Sequence, residues 1–303
     1  MTININEDTK RQFVRDCKLP IQIVQDGYFE YYLELFEELY LSKTKYDLLV
    51  NTINRFESLE DYLNEIYRIK NAAMDFVKER ESYKRLEKDK LEEYRETSIV
   101  NKTKLYQQEH VGKTFVSIDL VKGNVQSLNY YDKDILAADT YEEFISKFTD
   151  LEYFKESKQI RQVIFGKLSP KKHKTIQLNI MGKIKDELVK AGLKDIHVLG
   201  SSPDEIVFEK KYFENYKEIL EQNEVIREFD LHIEEFKLES INDDLNVFIK
   251  RFLNKEGIEV KRCNAKFMPE VVKYLSGEPL IDKDLAFIDE GRIAHYSEPL
   301  IKQ

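Results

Sequence analysis

The chain has 303 residues, of which 42% are hydrophobic and 35% charged; that is enough for one large or two small domains with a real core. No apolar run nears the roughly 18 residues of a membrane span, no basic-then-apolar leader opens MTININEDTKRQF, and a cytoplasmic protein is therefore expected. Net charge is −9, two cysteines lack paired spacing and five histidines are scattered, which argues against indiscriminate nucleic-acid coating, a disulfide framework and a structural zinc.

In chain order, residues 28–95 read as helical. Tyr28–Leu41 is nearly solid aromatic and aliphatic, and a second helix is expected from Lys43 to about Phe56. Ser58 with Asp61 resembles a capping box opening a third helix, whose stripe runs Tyr62, Ile66, Ile69, Ala73, Phe76 and Val77. Its continuation, KERESYKRLEKDKLEEYR, predicts a solvated helix.

From Thr114 the period changes. TFVSIDLV alternates as a strand does, YEEFISKF predicts a short helix and KTIQLNIMGKIKDELVKAG a longer one ending at Gly192. DIHVLG and EIVFEKKYF predict a hairpin, YFENYKEILEQNEV a helix and VIREFDLHIEEFKL a strand. NDDLNVFIKRFLNKEG predicts a helix with a glycine stop. A strand (IEVKRCNAKF), a helix (PEVVKYLSG) and a hairpin (DLAFIDEGRIAHY) complete the chain. The expected fold is α+β: a helical region over 1–112, an α+β region with an antiparallel sheet over 113–240, and an α+β extension over 241–303.

Two acidic motifs carry the chemistry. Asp119 ends the apolar strand of SIDLVKGNVQSL, and Asp204 with Glu205 occupies the bend of IHVLGSSPDEIVFE. A carboxylate at a strand end reaches solvent or a cation. Two brought within roughly 4 Å would repel unless a divalent cation lay between them, and oxygen donors of this kind suit Mg²⁺ or Mn²⁺. Between the motifs the chain is basic: residues 151–200 hold 11 Lys/Arg against 5 Asp/Glu. On a helix over 155–165, Lys158, Arg161 and Phe165 share a face. The two cations would hold a triphosphate there, with Phe165 against base or sugar and Gly166 closing the helix. Lys171, Lys172 and Lys174, at a loop or helix start after Pro170, are candidates for nucleic-acid phosphate contacts.

The order of these motifs resembles the palm and fingers of template-dependent DNA polymerases, especially the family that includes bacterial DNA polymerase I. SIDLVKGNVQSL looks like that family's first motif, KQIRQVIFG matches a fingers pattern K-x-x-x-x-x-x-[YF]-G, and SPDEIVFE is similar to the third motif. The resemblance covers about residues 113–210. It implies metal binding by Asp119 and Asp204, an accessory role for Glu205, and nucleotide contacts by Lys158 and Arg161. Asn124 stands where that family carries a sugar-screening Glu, and the motifs lie about half as far apart as full fingers require.

The expected function is a polymerase-like nucleotidyltransferase acting on nucleic acid and nucleoside triphosphates, with a place as one subunit of a larger replication or transcription assembly among the expectations. One rival is a palm-derived subunit that has lost catalysis and only binds. A second is an interaction protein using Tyr28–Leu41 as its partner surface.

Overall fold

A computed structural model describes residues 3–95, 98–242 and 246–301. Its helices are α1 (Glu7–Asp16), α2 (Phe29–Leu35), α3 (Glu37–Tyr40), α4 (Ser42–Ile53), α5 (Leu59–Glu79), α6 (Glu81–Lys88), α7 (Gly123–Tyr131), α8 (Tyr141–Ile145), α9 (Glu152–Glu156), α10 (Lys158–Gly166), α11 (Pro170–Lys190), α12 (Tyr216–Gln222) and α13 (Met268–Ser276). The strands are β1 (Lys102–Thr103), β2 (Thr114–Leu120), β3 (Val198–Ser201), β4 (Glu205–Glu209), β5 (Leu231–Asn242), β6 (Val247–Phe252), β7 (Ile258–Lys261), β8 (Ala286–Asp289) and β9 (Arg292–His295). The fold is α+β. Among the described residues no helix is long and apolar enough to cross a membrane.

The chain falls into two compact units, one of residues 1–69, 150–160 and 260–303, the other of 70–149 and 161–259. In the first, the aromatic segment after Tyr28 is core rather than a partner surface: Phe29 and Phe36 are fully buried and Tyr32 nearly so. It is also two helices, not one. The Glu37 carboxylate accepts from the backbone N–H of Lys43 at 2.7 Å and of Thr44 at 3.2 Å, capping α4. Leu41 takes a left-handed φ of 52° to make that corner. The β8–β9 hairpin turns on Glu290 and Gly291, both at positive φ, as a two-residue hairpin loop of the primed type requires.

The second unit is built on a sheet of order β1-β3-β4-β2-β5-β6-β7. Its middle, β3-β4-β2-β5, is antiparallel throughout. In chain order β2 leads through helices to the β3–β4 hairpin and then by α12 to β5, which is a β-α-β-β-α-β path. Alternation sorts the side chains by face. Val116, Ile118 and Leu120 lie on the helix-covered face, where Phe208 meets Tyr216 of α12 edge-on at 6.0 Å. Phe115, Ser117 and Asp119 lie on the other. There Phe115, Val207, Phe236, Leu238 and Phe248 cluster under Leu105.

Two expectations are corrected. Residues 247–252 are the strand β6, not a helix: VFIKRF places Phe248, Lys250 and Phe252 alternately on one face, paired with Ser240, Leu238 and Phe236 of β5. Its apolar residues also fall at helical spacing, and the long β5 edge decides between the two. Residues 243–245 of that expected helix lie outside the described residues. The segment after α5 is not simply solvated either, since Tyr83 and Leu86 of α6 are buried at 1% and 0% exposure. A few apolar side chains at three-residue spacing suffice to dock a short helix.

Candidate active site

Sequence-distant carboxylates meet at one end of this sheet. Asp119 on β2 stands directly opposite Glu205 on β4, and on its other side opposite His232 on β5. The Leu120 N–H donates to the Asp204 carbonyl at 2.7 Å, so the pairing continues into the turn and brings Asp204 beside the end of β2. The turn itself is made by Ser202 and Pro203. Ser202 Oγ accepts from the Glu205 N–H at 3.1 Å and donates to Asp204 Oδ1 at 2.7 Å, the hydroxyl-to-backbone closure that serine favours in turns.

Ser117, two residues before Asp119 and buried, donates its hydroxyl to Glu205 Oε1 at 2.6 Å. Among the described residues, Asp204 and Glu205 thus find serine hydroxyls as partners rather than a lysine or arginine. One row further along the same face stands Glu234, opposite Ser117. It differs in kind, with Lys250 and Lys255 at 2.7 and 2.8 Å and His232 at 3.2 Å. Burial alone would raise its carboxyl, but the lysine hydrogen bonds and charges outweigh burial and hold it at about 2.

The residues expected to bind the nucleotide are placed otherwise. Phe165 is 1% exposed and packed among Tyr141, Phe144 and His173, so its ring has no face for a base or sugar. The reason is its position on the inward side of α10, where an aromatic gains most from burial. Arg161 is partly buried with its guanidinium 5.5 Å from the Tyr141 ring centre; desolvation lowers its pKa against the pull of Tyr141 and Glu142. Lys158 is exposed at the start of α10 and clusters with the first unit, beside a cavity of ≈ 200 Å³ that Cys17 and Lys45 also line.

Asn124 does not project as a sugar contact; its Oδ1 accepts from Gln177 Nε2 of α11 at 3.1 Å. Gly123 beside it permits that approach, because a Cβ there would meet Gln177 Nε2 at 3.1 Å. Lys171, Lys172 and Lys174 stand in the first turns of α11, Lys171 and Lys174 exposed. Lys172 instead donates to the Asp89 carbonyl. His173 between them is buried, its Nε2 at 2.6 Å from the Leu168 carbonyl and its Nδ1 at 3.0 Å from Ser127 Oγ. Burial lowers its pKa despite backbone hydrogen bonds that favour the charged ring.

Ser117, His232 and Glu234 were not anticipated. Their signal is present in the alternation of S-I-D and H-I-E, but only the β2–β5 register makes the two segments neighbours. Opposed like charges such as Asp119 and Glu205 destabilise a strand pair, and their hard oxygen donors match Mg²⁺ or Mn²⁺. Among the described residues, however, no group of three or more His, Cys, Asp or Glu side chains could hold a metal ion. No family model matches the chain, and neither does any curated protein or solved structure.

Proposed function

We propose that the chain is a small polymerase-like nucleotidyltransferase with a palm-like sheet, using divalent cations in phosphoryl transfer to a nucleic-acid 3′-hydroxyl. The observation that carries this reading is the juxtaposition of Asp119 with Asp204 and Glu205 at one end of a β-α-β-β-α-β sheet. A polymerase palm would need a strand-end Asp and a hairpin-bend acid side by side in this way. Asp119 and Asp204 would hold the cation, and Glu205, oriented by Ser117, would support it. A cation held there would lower the pKa of the attacking hydroxyl and neutralise the departing pyrophosphate. Ser117 and Ser202 keep the Glu205 and Asp204 carboxylates aimed without neutralising those two groups, which leaves their charge for a ligand.

The test is incorporation of labelled nucleoside triphosphates on primed DNA and RNA with Mg²⁺ or Mn²⁺. Asp119→Asn and Asp204→Asn should each lower the rate at least roughly a hundredfold, the scale of several kcal/mol of transition-state stabilisation, while the fold persists. Full activity in both variants would refute the assignment. A second reading, a palm-derived subunit that binds without catalysis, is favoured by the enclosure of Phe165 and the inward bond of Asn124. Retention of primed nucleic acid with no incorporation in the unaltered protein would select it.

A further inference from the structure

Between Glu156 and Asp186 the chain carries eight lysines and arginines and no aspartate or glutamate, in a protein whose net charge is −9. The middle of that stretch, where α10 gives way to α11, packs against the end of α6. Lys172 donates to the Asp89 carbonyl, and the Tyr83 hydroxyl shares a hydrogen bond with Ser169 Oγ at 3.0 Å. Both links lie within the second unit. They bring Lys90, remote in sequence, to the start of α11. Lys167 stands just before that start, and Lys171 and Lys174, three residues apart, share a helix face. Among the described residues, Lys90, Lys167, Lys171 and Lys174 are exposed and enter none of the chain's ion pairs.

The neighbouring carboxylates are engaged elsewhere. Asp89 accepts from the Leu91 N–H at 2.8 Å and from the Tyr131 hydroxyl at 2.9 Å. Glu81 pairs with Lys84 at 2.7 Å, and Asp132 pairs with Arg85. Glu87 lies by the Tyr83 hydroxyl. The corner is therefore a cluster of ammonium groups without partners of their own, and a polyanion that meets them gains by releasing its counterions. We infer that this corner holds the phosphate backbone of nucleic acid without reading its sequence. Phosphate contacts position a strand and carry no sequence information. The corner offers no ring for base stacking, because Tyr83 and Phe165 are each buried at 1% exposure. It also lacks the apolar side chains that insert into an anionic membrane surface: among the described residues, no large apolar side chain of 81–90 or 161–174 is exposed. The choice of nucleic acid as the polyanion rests on the nucleotidyltransferase reading, whereas the unpaired charge does not.

The test is fluorescence anisotropy of a labelled mixed-sequence DNA duplex titrated with the intact protein in EDTA, repeated over roughly 50 to 200 mM salt. Affinity should fall with a log–log slope of roughly −3 to −4, four contacts at about 0.9 each. Lys90→Gln, Lys167→Gln, Lys171→Gln and Lys174→Gln, exposed changes that spare the fold, should each flatten the slope by about 1. The four together should remove the binding. AT-rich and GC-rich duplexes should bind equally. Lys190→Gln, at the far end of α11 and paired with Glu187 at 2.6 Å, should change nothing. No binding of DNA, an unchanged slope in the fourfold variant, an equal loss from Lys190→Gln, or phosphatidylserine vesicles bound as tightly as DNA would each overturn the inference. The two readings fail separately. DNA held by these lysines with no incorporation sinks only the catalytic one. Incorporation that Asp119→Asn abolishes, with DNA binding that the fourfold variant keeps, sinks only this one.

Discussion

Two sets of carboxylates on the same sheet are treated in opposite ways. Glu234 and Glu235, neighbours on β5 that face opposite sides, are wrapped in the chain's own cations. Glu234 has Lys250 and Lys255, and Glu235 has Lys210, Lys217 and the Tyr216 hydroxyl. Both are held at about 2 because those partners outweigh the upward push of burial. Asp204 and Glu205, at the end of β4, are steadied by serine hydroxyls instead. Among the described residues, the chain's own cations meet Glu234 and Glu235 in the middle of β5, whereas Asp204 and Glu205 meet serine hydroxyls.

That contrast predicts opposite responses to the same kind of substitution. Glu234→Gln leaves Lys250, 3% exposed, short of its principal partner. It should cost about 3 kcal/mol, the scale of breaking a buried pair, read as a drop in the urea midpoint. Acid should do the same to both glutamates at once. Their folded pKa lies below the ordinary 4.5, so the unfolded chain takes up protons first. Their contribution is complete above about pH 5 and is lost as pH falls from 4.5 towards 2. Stability followed by circular dichroism should decline through that window, and Glu234→Gln should flatten the decline. Glu205→Gln, by contrast, should be neutral or stabilising by up to about 1 kcal/mol, since it relieves the opposed charge of Asp119. Destabilisation comparable to that of Glu234→Gln would erase the distinction. Ser117→Ala is the mildest change: about 1 kcal/mol from the lost hydroxyl bond, with weaker Mn²⁺ affinity because Glu205 loses its orientation.

Much of the fold is legible where local signals agree. The Ser58 cap, the alternation through Asp119 and the Gly291 turn of the last hairpin each determine their element from nearby residues. For the chain-remote pairing of Asp119 with Glu205, alternation and the tight Ser-Pro turn make the strand and the hairpin, and the sheet order makes them neighbours. The illegible parts depend on tertiary partners. VFIKRF satisfies both helical and strand spacing, and only the β5 edge chooses. Phe165 shares a helical face with Lys158 and Arg161 whether that face is open or enclosed, so the K-x-x-x-x-x-x-F-G pattern could not reveal its burial. His232 and Glu234 read as ordinary strand polars until the register sets them beside Asp119 and Ser117. The corner at Leu41 goes with a carboxylate, Glu37, that reaches forward to cap α4, a contact with no sequence signature of its own.

Titration of Mn²⁺ into the protein, followed by calorimetry and by the paramagnetic relaxation of water, addresses the shared-cation claim directly. The account predicts a site that is present in the unaltered chain, lost in Asp119→Asn and in Asp204→Asn, and retained in Glu234→Gln. Binding that survives both aspartate substitutions, or no binding at all, would contradict it.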